Sequence, residues 1–253
     1  MLNIGITGSN GFIGKNLSLV IKRYSTSFNL IKFDKSYFKN LELLNKFVTK
    51  CDVIVHLAAL SRHPKKGYLY KNNVQVTKTL IKVMTDQNVK PYVIFTSSIH
   101  DKSNSEYGRS KRFEYNILKS WAQKTKSNFS CLVLSNVFGP YCKPNYASFV
   151  ATFCYKLSNN ETPKIDLDKK MNLTYVENLA NYMLNKITLV FKNKNIVNEY
   201  VNVKYDEEIK VSEVLDLLVD FKKNYQEYKA KEEFKNEFIK NLFSTFNSYY
   251  EKS

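Results

Sequence analysis

Leu2-Asn3-Ile4-Gly5-Ile6-Thr7, followed by Gly8-Ser9-Asn10-Gly11-Phe12-Ile13-Gly14, is the stretch on which the fold turns. Leu2, Ile4 and Ile6 make a short buried strand that runs straight into three glycines spaced three apart. Past them Ile13, Leu17, Val20 and Ile21 recur at helical spacing, and Phe28 to Phe33 reads as a second strand ending at Asp34. Further out, Asp52-Val53-Ile54-Val55-His56-Leu57-Ala58-Ala59 and Tyr92-Val93-Ile94-Phe95-Thr96 read as strands. Val76, Leu80, Ile81 and Met84 mark a helix between them. A helix from about Tyr107 to Lys124 precedes a strand at Cys131 to Leu134. Strands alternating with helices predict an α/β fold, a Rossmann-like doubly wound parallel sheet with right-handed crossovers.

Beyond Gly139-Pro140 the texture changes. Phe149, Phe153 and Leu157 suggest a helix, and Leu173 to Val176 precedes a helical stretch over 178–191. Ser212 is the expected N-cap for a helix carrying Val214, Leu215, Leu218 and Val219. In the charged, aromatic tail, Phe234, Phe238, Leu242 and Phe246 fall on one helical stripe. The expected division is a dinucleotide-binding core over 1–139, to which about 171–200 returns. Residues 140–170 and 201–253 would form a smaller C-terminal substrate-binding lobe.

Composition narrows the class. With 253 residues, 43% of them hydrophobic and 25% charged, the chain can bury a substantial core, which excludes wholesale disorder. No apolar run approaches the roughly 18 residues of a membrane helix, and the N-terminus lacks a signal-peptide pattern. A cytoplasmic protein is expected. Cys51, Cys131, Cys142 and Cys154 lie at irregular intervals, and His56, His63 and His100 form no ligand spacing, so reduced, buried thiols and no metal site are expected. The net charge of +16 is spread along the chain without a polybasic tail or a recognition helix, which argues against nucleic acid and membrane as partners.

A strand, then Gly8, Gly11 and Gly14, then a helix is the context of a dinucleotide-binding fingerprint. The glycines let the backbone approach a pyrophosphate, and the helix start offers it free N–H groups. The candidate cofactor segment is Gly8, Asn10, Gly11, Phe12, Ile13 and Gly14. Asp34 stands twenty positions after Gly14, where a carboxylate can bond the adenosine ribose hydroxyls and repel a 2′-phosphate. Lys35 beside it can instead pair with that phosphate, so NAD(H) and NADP(H) both stay open.

Tyr107-Gly108-Arg109-Ser110-Lys111 sets a phenol and an ammonium four apart on one helical face. The ammonium favours the tyrosinate, so the phenol can exchange a proton with an alkoxide near neutral pH. Ser98, closing Phe95-Thr96-Ser97-Ser98, can bond the reacting oxygen. Ser98, Tyr107 and Lys111 are the candidate catalytic residues.

Together these residues resemble the extended short-chain dehydrogenase/reductase family, whose members mostly act on nucleotide sugars. The resemblance covers Thr7–Gly14, Asp52, His56-Leu57-Ala58-Ala59, Asn73-Val74, Ser98, Tyr107 and Lys111. It continues through Asn136-Val137-Phe138-Gly139-Pro140 and Leu173-Thr174-Tyr175-Val176-Glu177-Asn178. Cys142-Lys143-Pro144-Asn145-Tyr146, the segment Ala151 to Lys156, Arg62 and the nine-residue step from Ser98 to Tyr107 are similar to the reductase half of capsular-polysaccharide enzymes that make N-acetyl-L-fucosamine nucleotides. The zinc cupin that follows in those enzymes lies outside the resemblance.

The resemblance implies NADPH-dependent reduction of a UDP-linked 4-keto-6-deoxy-N-acetylhexosamine. Leu57, Ala58, Ala59, Tyr107 and Lys111 would line the cofactor, and Arg62, Ser98, Asn136, Lys143, Asn145 and Tyr146 the substrate. It also implies a homodimer and leaves open a separate epimerase acting in the same pathway. Ser98 is followed by Ile99 and His100 rather than an acid pair, which disfavours dehydration. Two alternatives stay open: a 4-epimerase with retained NAD, and a non-catalytic dinucleotide sensor.

Overall fold

The computed structural model describes residues 1–193 and 196–251. In chain order its first half runs β1 (Leu2–Thr7), α1 (Phe12–Arg23), β2 (Phe28–Ile31), a 3-10 helix (Lys35–Lys39), α2 (Leu41–Val48), β3 (Val53–His56), α3 (Tyr68–Asp86), β4 (Tyr92–Ser98) and α4 (Glu106–Thr125). There follow β5 (Phe129–Leu134), β6 (Asn136–Phe138), α5 (Phe149–Ser158), β7 (Lys170–Tyr175), α6 (Val176–Asn193), β8 (Asn198–Asn202), β9 (Glu207–Lys210), α7 (Val211–Lys223), α8 (Tyr225–Ala230) and α9 (Glu237–Tyr250).

The chain divides into two units. The first comprises Met1–Leu134 and Ala180–Val203, the second Ser135–Leu179 and the chain from Lys204 onward. In the first, six parallel strands take the order β2-β1-β3-β4-β5-β8. The order reverses beside β1, as in doubly wound sheets. Its inner strands are near-continuous apolar runs because both faces are covered: Val53 to His56 and Phe129 to Leu134 are buried throughout. Phe33, Phe47, Leu80, Met84, Phe95, Leu118, Trp121 and Phe129 form a core between the sheet and its helices.

The second unit pairs β6 with β7 in parallel and β7 with β9 antiparallel. Residues 135–139 and 171–179 therefore group with this unit rather than with the core assigned to them from the sequence, because their strands bond to one another and to β9. Its interior is aromatic: Phe221 packs edge-on to Tyr228 and Phe243, with ring centroids at 4.7 and 5.4 Å. The tail stripe is interrupted. Phe238, Leu242 and Phe246 are buried on α9, but Phe234 lies in the connection from α8.

Two local expectations are corrected. β2 ends at Ile31, and Asp34 instead caps the 3-10 helix, its Oδ1 accepting the Ser36 N–H at 2.8 Å. Ser212 is not the cap of α7. Lys210 holds that position, with the Glu213 carboxylate accepting its N–H at 2.9 Å, and Ser212 bonds Asp168 through both its N–H and its hydroxyl.

Candidate active site

Three neighbouring strands finish at one edge of the parallel sheet. Thr7 of β1 is in register with His56 of β3, and His56 with Phe95 of β4. The Gly8–Gly14 loop, Leu57-Ala58-Ala59 and the turn at Ser98 thus all leave the carboxyl ends of adjacent strands, the edge at which open α/β sheets bind ligands. Leu57 N–H donates to the Thr7 carbonyl at 3.1 Å, and Ala58 N–H to the Thr7 hydroxyl at 3.4 Å, stitching the second segment to the first.

The glycine loop has room for backbone only. Gly8 sits at φ +80°, and the Gly11 N–H closes onto its carbonyl at 2.9 Å. A Cβ on Gly14 would lie 2.4 Å from that same carbonyl oxygen and 2.8 Å from Ser9 Cα. Gly11 caps α1 with no side-chain bond, and no acidic residue enters the first turn. The N–H groups of Phe12 and Ile13 are left for an anion. This cradle fits the pyrophosphate that the fingerprint implies. The Ser9 hydroxyl reaches the Phe33 carbonyl at 3.3 Å, tying the loop to the Asp34 corner. There Ser36, through its hydroxyl and its N–H, holds the Asp34 carboxyl below the usual carboxylate range, and Lys35 and Lys32 push the same way.

On α4, Ser105 is the N-cap, and Tyr107 and Lys111 follow one turn apart. Lys111 is 3% exposed, and its ammonium lies 5.7 Å from the Tyr107 ring centroid and 4.6 Å from that of Phe95. Ser98 ends β4, and its hydroxyl accepts the His100 N–H at 3.2 Å.

The short step from Ser98 to Tyr107 is bolted down. A Cβ on Gly108 would stand 2.6 Å from the carbonyls of both His100 and Ser103, so the turn lies directly on α4. The Arg112 guanidinium donates to the carbonyls of Asp101 and Ser103. The buried Asp101 carboxylate accepts from Ser97 at 2.9 Å and from the Tyr200 hydroxyl of β8 at 2.6 Å.

Beneath these segments lies a line of buried polar groups. His56 Nδ1 meets the Thr7 hydroxyl at 2.7 Å, and His56 Nε2 meets that of Thr77 at 2.9 Å. Thr77 donates to Glu114 Oε2 at 3.0 Å, and the Lys111 ammonium stands 4.0 Å from the same oxygen. Burial, helped by the nearby Lys111 charge, pulls the His56 imidazole down to about 3. Unfolded, it titrates near 6.5. The unfolded chain therefore binds the extra proton throughout that interval, and stability falls as pH drops from about 6.5 toward 3. Urea melts between pH 7 and 5 should show a slope of up to ~1.4 kcal/mol per pH unit from this residue, absent in His56→Gln. An unchanged slope in the variant would refute the assignment.

The remaining candidates are placed as follows. Arg62 is exposed on the loop after β3. Asn73 staples that loop, exchanging bonds with Leu60 N–H and C=O at 2.8 and 2.9 Å while reaching the Ser110 hydroxyl at 3.3 Å. Asn136, Lys143, Asn145 and Tyr146 belong to the second unit. There the Asn136 amide donates to the Asn172 carbonyl at 3.4 Å, Asn145 adopts φ 55°, and the Lys143 ammonium lies 5.9 Å from the Tyr146 ring.

All four cysteines are free and buried, and burial pushes Cys51 and Cys131 up to about 12 and Cys142 to about 11, which leaves them inert at neutral pH. Among the described residues no cluster of metal-ligating side chains occurs, and no helix is long and apolar enough to cross a membrane. Thr77, Asp101, Arg112, Glu114 and Tyr200 went unread in the sequence. Only Glu114 carried a signal, standing three residues after Lys111 on the same helix.

Residues 4–198 match the model of the NAD dependent epimerase/dehydratase family. The UDP-2-acetamido-2,6-beta-L-arabino-hexul-4-ose reductase of Pseudomonas aeruginosa is 26% identical over 222 residues, covering 87% of this chain and 58% of that protein. The capsular polysaccharide assembling protein CapF of Staphylococcus aureus superposes with a TM-score of 0.77 at 29% identity, over 98% of this chain and 65% of CapF. RMD of Pseudomonas aeruginosa, solved with NADPH, superposes over the full length of both chains at TM-score 0.83 and 14% identity, a likeness of fold. The chain thus spans less than two-thirds of the reductase and of CapF.

Proposed function

The chain belongs to the NAD dependent epimerase/dehydratase family, and from that premise we propose that it is an NAD(P)H-dependent reductase of a nucleotide-linked, UDP-type 4-keto-6-deoxy-N-acetylhexosamine. The observation that carries the reading is the Tyr107–Lys111 pair, one helical turn apart on α4, with Lys111 buried against Phe95. The similarity to a hexul-4-ose reductase supports the substrate class.

The Phe12 and Ile13 N–H groups would hold the cofactor pyrophosphate, Asp34 the adenosine ribose, and Lys111 the nicotinamide ribose. Bound there, NAD(P)H supplies a hydride to C4. Ser98 donates a hydrogen bond to the carbonyl oxygen as charge builds on it, and Tyr107 delivers its proton to the developing alkoxide. The product is a secondary alcohol, and Tyr107 regains its proton from solvent. From the resemblance, Arg62, Lys143 or another lysine would hold the diphosphate, and Asn136, Asn145 and Tyr146 would contact the sugar nucleotide.

The test is the loss of absorbance at 340 nm when protein and NADPH or NADH meet an enzymatically generated UDP-linked 4-keto-6-deoxy-N-acetylhexosamine. Oxidation of either cofactor supports the reductase. Its absence in protein that binds the cofactor rejects it in favour of a 4-epimerase, for which Asp34 speaks, or a sensor. Purified protein that releases NAD on denaturation identifies the epimerase.

Asp34 also sets cofactor preference. Its carboxylate is held ionised by Ser36 and would meet a 2′-phosphate with like charge. Asp34→Ser should move the NADPH-to-NADH affinity ratio toward NADPH by about tenfold, with Lys35 left to pair the phosphate. Fluorescence titration with both nucleotides measures it, and an unmoved ratio refutes the role.

A further inference from the structure

The buried line from Thr7 to Glu114 has a direction. Thr77 donates its proton to Glu114 Oε2, so its oxygen must accept from His56 Nε2–H. His56 Nδ1 then accepts from the Thr7 hydroxyl, whose oxygen takes the Ala58 N–H. Every proton has one place, and the neutral imidazole is the form that permits it.

The line begins at the residue before Gly8 and ends on a carboxylate 4.0 Å from the Lys111 ammonium. Glu114 and Thr77 are wholly buried, and Glu114 Oε1 has no hydrogen-bond partner among the described residues. A carboxylate so costly to bury, with one oxygen left unbonded, is not placed for stability alone. Its second oxygen is aimed by Thr77, and the cation it faces is pinned from another side by the Phe95 ring.

We propose that Glu114 is a positioning residue that fixes the Lys111 ammonium relative to Tyr107, with Thr7, His56 and Thr77 orienting its carboxylate from the glycine loop. The inference rests on the reading of Lys111 as the residue that holds the nicotinamide ribose and supports Tyr107. It links cofactor loop and proton donor: seating a ligand on the loop after Thr7 bears, through three side chains, on the charge beside Tyr107. The charged and titratable groups around the line are Lys111, His56 and Glu114, with Cys131 close enough to feel the charges of both Lys111 and Asp101.

The experiment compares Glu114→Gln, Thr77→Val and Thr77→Ser in the full chain by melting temperature, NAD(P)H affinity and turnover of the keto sugar. Glu114→Gln is expected to weaken NAD(P)H binding and lower kcat, each by about tenfold or more, while KM for the sugar stays within about twofold. Thr77→Val should move both in the same direction by less, and Thr77→Ser, which keeps the hydroxyl, should restore them. A folded Glu114→Gln with a lower melting temperature but unchanged affinity and kcat overturns the proposal. If Glu114→Gln does not fold, the Thr77 pair decides: Val equal to wild type overturns it, and Val impaired with Ser restored supports it. Wild type inert toward the sugar removes the reductase reading alone, and the affinity arm still judges Glu114. Wild type that binds neither nucleotide overturns both.

Discussion

Tyr107→Phe should reduce turnover of the keto sugar about a thousandfold and leave NAD(P)H affinity within a few-fold of wild type. The change deletes one oxygen and keeps the ring, so the 5.7 Å approach of the Lys111 ammonium to that ring survives. What is lost is the only phenol on the first turn of α4, and with it the proton for the developing alkoxide. Ser98 can still bond the oxygen, and the glycine loop can still seat the nucleotide, which is why binding persists. Stopped-flow measurement at 340 nm with saturating cofactor separates the chemical step from product release. A variant that keeps more than a tenth of wild-type turnover would remove Tyr107 from the reaction.

Gly14→Ala attacks the other half of the site. The added methyl would stand 2.4 Å from the Gly8 carbonyl oxygen, 2.8 Å from Ser9 Cα and 3.0 Å from the Gly8 carbonyl carbon. All three are backbone atoms, so no side chain can swing aside. Either α1 or the loop must shift, and the Gly11-to-Gly8 hydrogen bond goes with it. Nucleotide affinity should fall about a hundredfold or more, accompanied by a loss of stability of about 1–3 kcal/mol. Calorimetric titration and thermal melts measure the two. Retained affinity would mean that the cofactor does not approach this turn.

The sheet was legible where its strands are buried on both faces. β1, β3, β4 and β5 are apolar runs, and their order follows from the helices between them. β8 and β9 escaped notice for the opposite reason. Asn198-Glu199-Tyr200-Val201-Asn202 and Glu207-Glu208-Ile209-Lys210 alternate between exposed and half-buried positions at sheet edges, where pairing is decided by the partner strand. Lys210 displaced Ser212 as a cap because Glu213 supplies the reciprocal bond, and Asp168, far off in sequence, claims the serine.

The candidate residues with local signatures, the glycines and the Tyr-Lys pair, stand at the sheet's carboxyl edge or on the helix that follows it. The supports beneath them did not declare themselves. Thr77 meets Glu114 across thirty-seven positions, and Asp101 meets Tyr200 across ninety-nine. No spacing rule in a single sequence reaches that far.

That last separation bears on the order in which a newly made chain can mature. Ser97 and Asp101 emerge from the ribosome well before Tyr200, which comes with the strand that closes the sheet. Until that strand arrives, β5 is an open edge and the Asp101 carboxylate lacks one of its two donors. The turn bearing Ser98 therefore takes its final shape late in synthesis, after the whole of the second unit's first segment has been threaded out. A nascent chain halted near residue 190 would hold five parallel strands and the glycine loop, but an unfinished floor under the turn between Ser98 and Tyr107.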